Sequence, residues 1–292
     1  MLLLALLARP AFADLNVLAC EPEWAALVRE LGGDKVKVSA ATTAFQDPHR
    51  IEARPSLIAR ARSADLIVCT GAQLEIGWLP LLQRQSGNAK IQVGEPGYFE
   101  ASLQVPLIEA PSVVDRSMGD VHPAGNPHIH LDPRNIAKVA VPLGARMEQL
   151  DPGNGAYYRS RTKSFLDRWQ QATGRWEKAG APLKGLPLVV YHKDQAYLFR
   201  WLGLREVGTL EPKPGLPPTT AHMSELLGRL AKASPKAVLC AAYNDPRPAQ
   251  FIAERASVPV VVLPYTVGGS DQAKDLFGLY DDTLRRLLAV VQ

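Results

Sequence analysis

One stretch without proline most constrains what this chain can fold into. Prolines number 24 in 292 residues. They cut most of the sequence into short elements, because proline ends helices and removes a donor from strand ladders. From Asn154 to Ala179 none occurs, and Tyr158, Phe165, Trp169, Ala172 and Trp176 recur there at spacings of 7, 4, 3 and 4. That is one apolar stripe on a long helix. On either side, short apolar runs alternate with helical patterns. Before it, Leu15–Cys20, Val36–Ala40, Asp65–Thr70 and, weakly, Ile91–Val93 read as strands. Trp24–Leu31, Pro55–Ser63, Ile76–Gln85 and a segment from Asp132-Pro133 toward Leu150 read as helices. Residues 94–127 read mostly as loop. After it, strands are expected at Leu186–Tyr191, Ala237–Cys240 and Val258–Leu263, and helices at Gln195–Leu202, Ser224–Ala233, Pro248–Ala256 and Asp275–Val291. The rhythm predicts an α/β chain: two Rossmann-like lobes with mostly parallel sheets, residues 14–150 and 183–292, joined by one long rigid helix within 151–182.

The ends and the charge narrow the function classes. Met1–Ala8 is an apolar run too short to span a bilayer, and Ala11-Phe12-Ala13 follows as an A-x-A cleavage signature. Residues 1–13 therefore read as a secretory signal peptide, although no lysine or arginine precedes the run; a buried N-terminal segment is the alternative. No other apolar stretch approaches a membrane span, so the mature protein is expected to be soluble. The charge is only +4, with no block of like charges, which gives no reason to expect nucleic acid as a partner. Cysteines at 20, 69 and 240 are an odd count, each at the end of an apolar run. They are expected as buried strand-end thiols. A Cys20–Cys69 disulfide and a lipoprotein role for Cys20 are the alternatives.

The histidines fall at telling places. His49 follows the second strand, His128 leads into the helix begun by Asp132-Pro133, and His192 directly follows the strand ending at Tyr191. Asp271 follows the last strand in Gly268-Gly269-Ser270-Asp271. In open α/β sheets, ligands bind outside the carboxyl ends of the strands. Facing lobes would bring these four groups around one small ligand. Three imidazoles suit zinc, and a carboxylate would complete a tetrahedron. Asp275 or a water competes with Asp271 for that place.

These residues carry a resemblance. Asp47-Pro48-His49 with Pro55-Ser56, Ala64–Val68, Gly71-Ala72-Gln73-Leu74-Glu75, Asn126-Pro127-His128-Ile129-His130-Leu131-Asp132-Pro133 and Tyr191-His192 are similar to segments of the zinc and manganese solute-binding proteins of bacterial ABC importers. The resemblance covers essentially the whole mature chain. It implies two lobes joined by a long helix, capture of a metal ion in the periplasm, and delivery to a membrane permease driven by an ATPase. It implies ligands at His49, His128 and His192, and histidine at the third place points to Zn2+ in preference to Mn2+. A monomer is expected, and a metallochaperone is a further candidate partner. The chain departs from the family in three ways. Of the long His-rich loop only His122 remains, His130 replaces an aromatic residue, and Tyr265-Thr266-Val267 stands where the last acid usually lies.

Other readings compete. His128-x-His130-x-Asp132 resembles the start of a metallohydrolase HxHxDH motif, although Pro133 replaces the last histidine. A metal-binding surface adhesin is a third class. No P-loop and no GxSxG elbow occurs. Glu75 is a candidate to orient a ligand histidine, against a plain surface carboxylate. Tyr243-Asn244-Asp245 is read either as cleft lining or as a helix cap, and His222 has no assigned role.

Overall fold

The computed structural model describes residues 14–111 and 119–292. The expected signal peptide, residues 1–13, lies outside the described residues. The N-terminal sheet contains β1 (Leu15–Ala19), β2 (Val36–Ala40), β3 (Leu66–Cys69) and β4 (Tyr98–Glu100), in the order β2-β1-β3-β4 and parallel throughout. The C-terminal sheet contains β5 (Pro187–Val190), β6 (Arg205–Thr209), β7 (Ala237–Ala241) and β8 (Val260–Leu263), in the order β6-β5-β7-β8, again parallel. The two sheets share one topology, so each has its switch point between its first and third strands.

Helices cover both sheets. In the first lobe they are α1 (Pro22–Gly32), α2 (Pro55–Ser63), α3 (Leu79–Ser86) and α4 (Pro133–Leu150). Asp132 caps α4, its carboxylate accepting from Arg134 N, with Pro133 at the first position. In the second lobe they are α6 (Ala196–Leu202), α7 (Thr220–Ala233), α8 (Pro246–Ala256) and α9 (Leu276–Leu288). Trp24, Trp78 and Trp201 are buried in the lobes.

The connector is α5 (Gly155–Gly180), 26 residues long, or about 39 Å. All five residues of the expected stripe are buried. Along this stripe the helix packs against α1 and α4 of the first lobe and α9 of the second. Trp169 Nε1 donates to Pro133 O at 2.8 Å, and Trp176 Nε1 donates to Asp281 Oδ1 at 2.6 Å. Trp176 also stacks on Tyr280 at 4.9 Å. One hydrophobic core therefore runs from Leu15 to Leu287 through both lobes. A linker that belongs to that core cannot swing freely.

Several expectations are corrected. Strands β4 and β6 lie outside the expected set. β4 has three residues and β6 is half exposed, both at sheet edges, so neither shows a buried apolar run. The weak strand at Ile91–Val93 is a 3₁₀ turn over Ala89–Ile91. The helix expected from Ile76 begins only at Leu79, because Gly71, Ala72 and Gln73 all take positive φ (80°, 50° and 66°) and a turn continues to Trp78. Cys20 and Cys69 are not free thiols. β1 lies beside β3, and Cys20, just past β1, forms a disulfide with Cys69, the last residue of β3. Cys240 is a buried thiol.

The end of the second lobe is held by one buried carboxylate. Asp282 accepts from Ser270 Oγ at 2.6 Å, Arg286 Nε at 2.7 Å and Arg285 Nε at 3.0 Å. Burial alone would raise its pKa, but these donors outweigh it and hold the carboxyl below its usual range. A depressed carboxyl stabilises the fold above the unfolded pKa and loses that contribution as pH falls through the folded one. Asp282→Asn should cost about 2 kcal/mol near pH 7. In denaturant titrations the deficit should shrink as pH drops toward 3; a constant deficit would contradict this account.

Candidate metal centre

The carboxyl ends of the sheets deliver the histidines. His49 sits in the turn after β2, where Asp47 Oδ1 accepts from the His49 amide at 3.0 Å and from His49 Nδ1 at 2.7 Å. Trp78 Nε1 pins the same turn through Pro48 O at 2.9 Å. His128 precedes α4, and its amide donates to Asn126 Oδ1 at 3.0 Å. Asn126 reaches across the lobes, donating from Nδ2 to Lys193 O at 2.8 Å. His192 comes two residues after β5, with Nδ1 2.7 Å from Glu211 Oε2. A fourth ring, His122, uses Nδ1 on Ala72 O at 3.1 Å.

The rings converge. Centroids of His49, His128 and His192 are 5.5, 5.7 and 5.6 Å apart, and one donor atom from each lies within 4.8 Å of the others. His122 stands 5.4 Å from His49 and 6.4 Å from His128. Every Nδ1 has a partner, so the remaining nitrogen of each ring is Nε2. Nε2 of His49, His122 and His128 is buried without a hydrogen-bond partner. Buried polar atoms are rarely left so. Beside them opens a cavity of about 390 Å³ lined by His122, His128 and His192 together with several prolines.

Where their surroundings shift these rings, two of three are held uncharged. Burial, then the neighbouring His49, pushes His122 down to about 4. Burial also holds His128 well below the ordinary range. His192 is the exception. Burial pulls it down, but its bond to Glu211 and the charges of Asp194 and Glu211 outweigh that and raise it. Burial would likewise raise the Asp47 carboxyl, yet its contacts with His49 hold it low.

A buried scaffold backs His128. Its Nδ1 is 2.8 Å from Tyr265 Oη. Tyr265 takes φ +65°, a strained place for a tyrosine. His130 Nε2 meets Tyr265 O at 3.0 Å, and His130 Nδ1 lies 3.2 Å from Glu23 Oε1. Thr266 Oγ1 donates to Glu23 Oε2 at 2.5 Å. The loop after β8 is thereby fastened to α1 of the other lobe.

The expected residues thus divide. His49, His128 and His192 are brought together. Asp271 is exposed and outside the cluster, because its loop closes on itself through Gly268 N to Ala273 O and Ser270 to Asp282. Its competitor Asp275 caps α9. The HxHxD reading fails geometrically: His130 faces Tyr265 and Glu23, and Asp132 is taken by Arg134. Glu75 touches no histidine; it accepts from the amides of Thr70 and Gly71. Tyr243 donates to Asp194 while Asp245 caps α8, and His222 Nε2 bonds Thr209 O. His122 is the residue that sequence reasoning undervalued. Its only signal is being the last histidine of a reduced loop.

Comparison with known proteins now decides the family. Residues 17–290 match ZnuA, described as "Zinc-uptake complex component A periplasmic". The chain belongs to this family. It is a metal ABC-importer substrate-binding protein, and the family's members are solute carriers rather than enzymes. The manganese ABC transporter substrate-binding lipoprotein scaA of Streptococcus gordonii is 23% identical over 276 residues, 90% of this chain and 83% of the relative. The high-affinity zinc uptake system protein ZnuA of Bacillus subtilis is 22% identical over 264 residues, 89% of this chain and 81% of the relative. A crystal structure of ZnuA superposes with a TM-score of 0.75 at 20% identity, covering 93% of this chain and 98% of that one. A manganese-bound periplasmic metal binding protein from candidatus liberibacter asiaticus reaches 0.76 at 16%, covering 94% and 99%. The likeness in fold spans both metals.

The hydrogen bond to Ala72 O fixes the tautomer of His122, since a carbonyl only accepts. Long-range ¹H–¹⁵N spectra of the metal-free protein should show His122 neutral, protonated at Nδ1, down to about pH 5. A ring charged at pH 6 would contradict the site's description.

Proposed function

We propose that this chain captures Zn2+ in the periplasm between its lobes and hands it to a membrane permease. The observation that carries the reading is the convergence of one donor nitrogen each from His49, His128 and His192, every ring backed through Nδ1. His49, His128 and His192 are the proposed ligands, and His122 takes the fourth place in preference to Asp271. Neutral imidazoles are borderline-soft donors that suit zinc, whereas manganese favours oxygen-rich sites. No carboxylate is among the converging donors of the described residues. Asp47 and Glu211 supply negative charge one hydrogen bond behind the rings and orient them, as outer partners of metal-bound histidines do. Four protein donors leave no position for an activated water. The reading takes residues 14–150 and 183–292 as the lobes and secretion through residues 1–13.

Calorimetric titration with zinc and manganese tests it. One zinc ion should bind, with manganese weaker. Loss of an outer partner of a metal site typically costs about 10- to 100-fold in affinity, so His49→Ala, His128→Ala and His192→Ala should each cost more than that. His122→Ala should weaken zinc less than these three. Unchanged affinity in all four variants would overturn the site, and tighter manganese would overturn the choice of metal.

The pH dependence follows from His192. A protonated imidazole cannot bind metal, and the ring with the raised pKa takes up its proton first as pH falls. Zinc affinity should therefore begin to fall above the ordinary histidine value of 6.5. In Glu211→Gln the onset should move to lower pH, because the hydrogen-bonded charge that does most to raise His192 is gone. An unmoved onset would assign the titration to another group.

A further inference from the structure

A second cluster of metal-binding atoms lies outside the histidine site, at the switch point of the first sheet. Cys20 directly follows β1 and Cys69 ends β3, and a donor atom from each lies with one of Glu75 within 4.8 Å of the others, all buried. Glu21 and Glu75 both accept from the Thr70 amide, through Oε2 at 3.3 Å and Oε1 at 2.7 Å, so the two carboxyls lie side by side and can hold a proton between them. Glu21 Oε2 accepts from Thr70 Oγ1 at 3.0 Å, while its Oε1 is buried without a partner, in a residue only 2% exposed. Among the described residues no lysine or arginine pairs with either carboxyl. Burial, followed for Glu21 by Glu75 and Glu23, raises Glu21 well above its usual range, and burial raises Glu75 to about 7. Buried carboxyls in that condition hold a proton or a cation.

The shared topology gives the cluster a counterpart. In the second lobe His192 stands two residues beyond Val190, the end of β5; in the first lobe Glu21 stands two residues beyond Ala19, the end of β1. Register matches too: Ala19 pairs with Val68, and Val190 with Leu239. Glu21 thus occupies the place from which the other lobe offers a histidine to the metal centre.

We propose that the reduced chain binds a second, soft or borderline divalent metal ion through Cys20 Sγ, Cys69 Sγ and Glu75, with Glu21 as the fourth donor, and that disulfide formation expels it. Two thiolates and two carboxylate oxygens form a four-coordinate set that suits zinc or cadmium. The steps balance. A dithiol or phosphine reductant gives two electrons and leaves oxidised, as a disulfide or, with water, a phosphine oxide. Both sulfurs become thiols, with their protons taken from the reductant or water. The metal then displaces the thiol protons and the proton shared by Glu21 and Glu75. Oxidation by a disulfide-bearing partner reverses the sequence. The ion and the disulfide exclude each other because both need the same sulfur atoms.

The test uses the full chain, oxidised or reduced with a phosphine, equilibrated with cadmium and desalted without air. Ions per chain are counted, and the ultraviolet cadmium–thiolate band is recorded. The oxidised chain should hold one ion and show no band; the reduced chain should hold two and show it. Glu75→Gln and Cys20→Ser, reduced, should each fall back to one ion, with near-ultraviolet circular dichroism reporting that they remain folded. A reduced chain that holds a single ion without the band overturns the proposal. So does a band of undiminished strength in a double Glu21→Gln, Glu75→Gln variant, which would assign the metal to cysteines alone. Failure of the histidine site would appear separately, as loss of the ion from the oxidised chain.

Discussion

A buried imidazole offers a lone pair in a fixed direction only when its other nitrogen is held. That requirement governs this architecture. Nδ1 of His49, His122 and His192 is held by Asp47, Ala72 O and Glu211, and Nδ1 of His128 by Tyr265. Tyr265 belongs to the opposite lobe from the ring it supports. The centre therefore keeps its geometry only if the lobes keep their spacing. The core running through α5 sets that spacing from behind, and the contact of Glu23 with Thr266 sets it beside the cleft. A freely hinged pair of lobes would leave His128 without its support whenever it opened.

Much of this was legible in the sequence, and the reason is topological. His49 and His192 closely follow strands, and His128 precedes a well-capped helix, so the sheets alone bring them to one face. The stripe on α5 was legible because a helix that packs on both lobes must be apolar along one continuous line. His122 was not legible as a member of the site. No strand delivers it; its segment is placed by tertiary contacts such as Asp120 N to Pro214 O at 2.8 Å. Asp271 misled for the opposite reason. It follows the last strand, where a ligand is expected, but Ser270 is tied to Asp282, which turns Asp271 outward.

The cysteines mark a different limit. That Cys20 and Cys69 end strands was visible from the apolar runs. That they face each other depends on strand order, because β1 must pair with β3 across a crossover. Local pattern carries no information about that choice, whereas the sheet order β2-β1-β3-β4 settles it. The same order makes the two lobes comparable position by position, and so turns Glu21 into the counterpart of His192.

Charge explains why the histidine centre and the first lobe's switch point behave differently. In the histidine centre the carboxylates of Asp47 and Glu211 stand one imidazole away from the common point, so a dication between the rings meets two matching negative charges. That arrangement tolerates an empty state, since each carboxylate retains a hydrogen-bonded ring. At the first lobe's switch point Glu21 and Glu75 have no rings between them and no cation among the described residues. A proton held between them removes part of that charge, and the cysteines beside them carry none as a disulfide. Carboxyls stacked against each other can remain buried only while something positive, a proton or a metal, stays with them. The cleft between the lobes is thus built to stand empty and fill, and the first lobe's switch point to exchange protons for a metal ion.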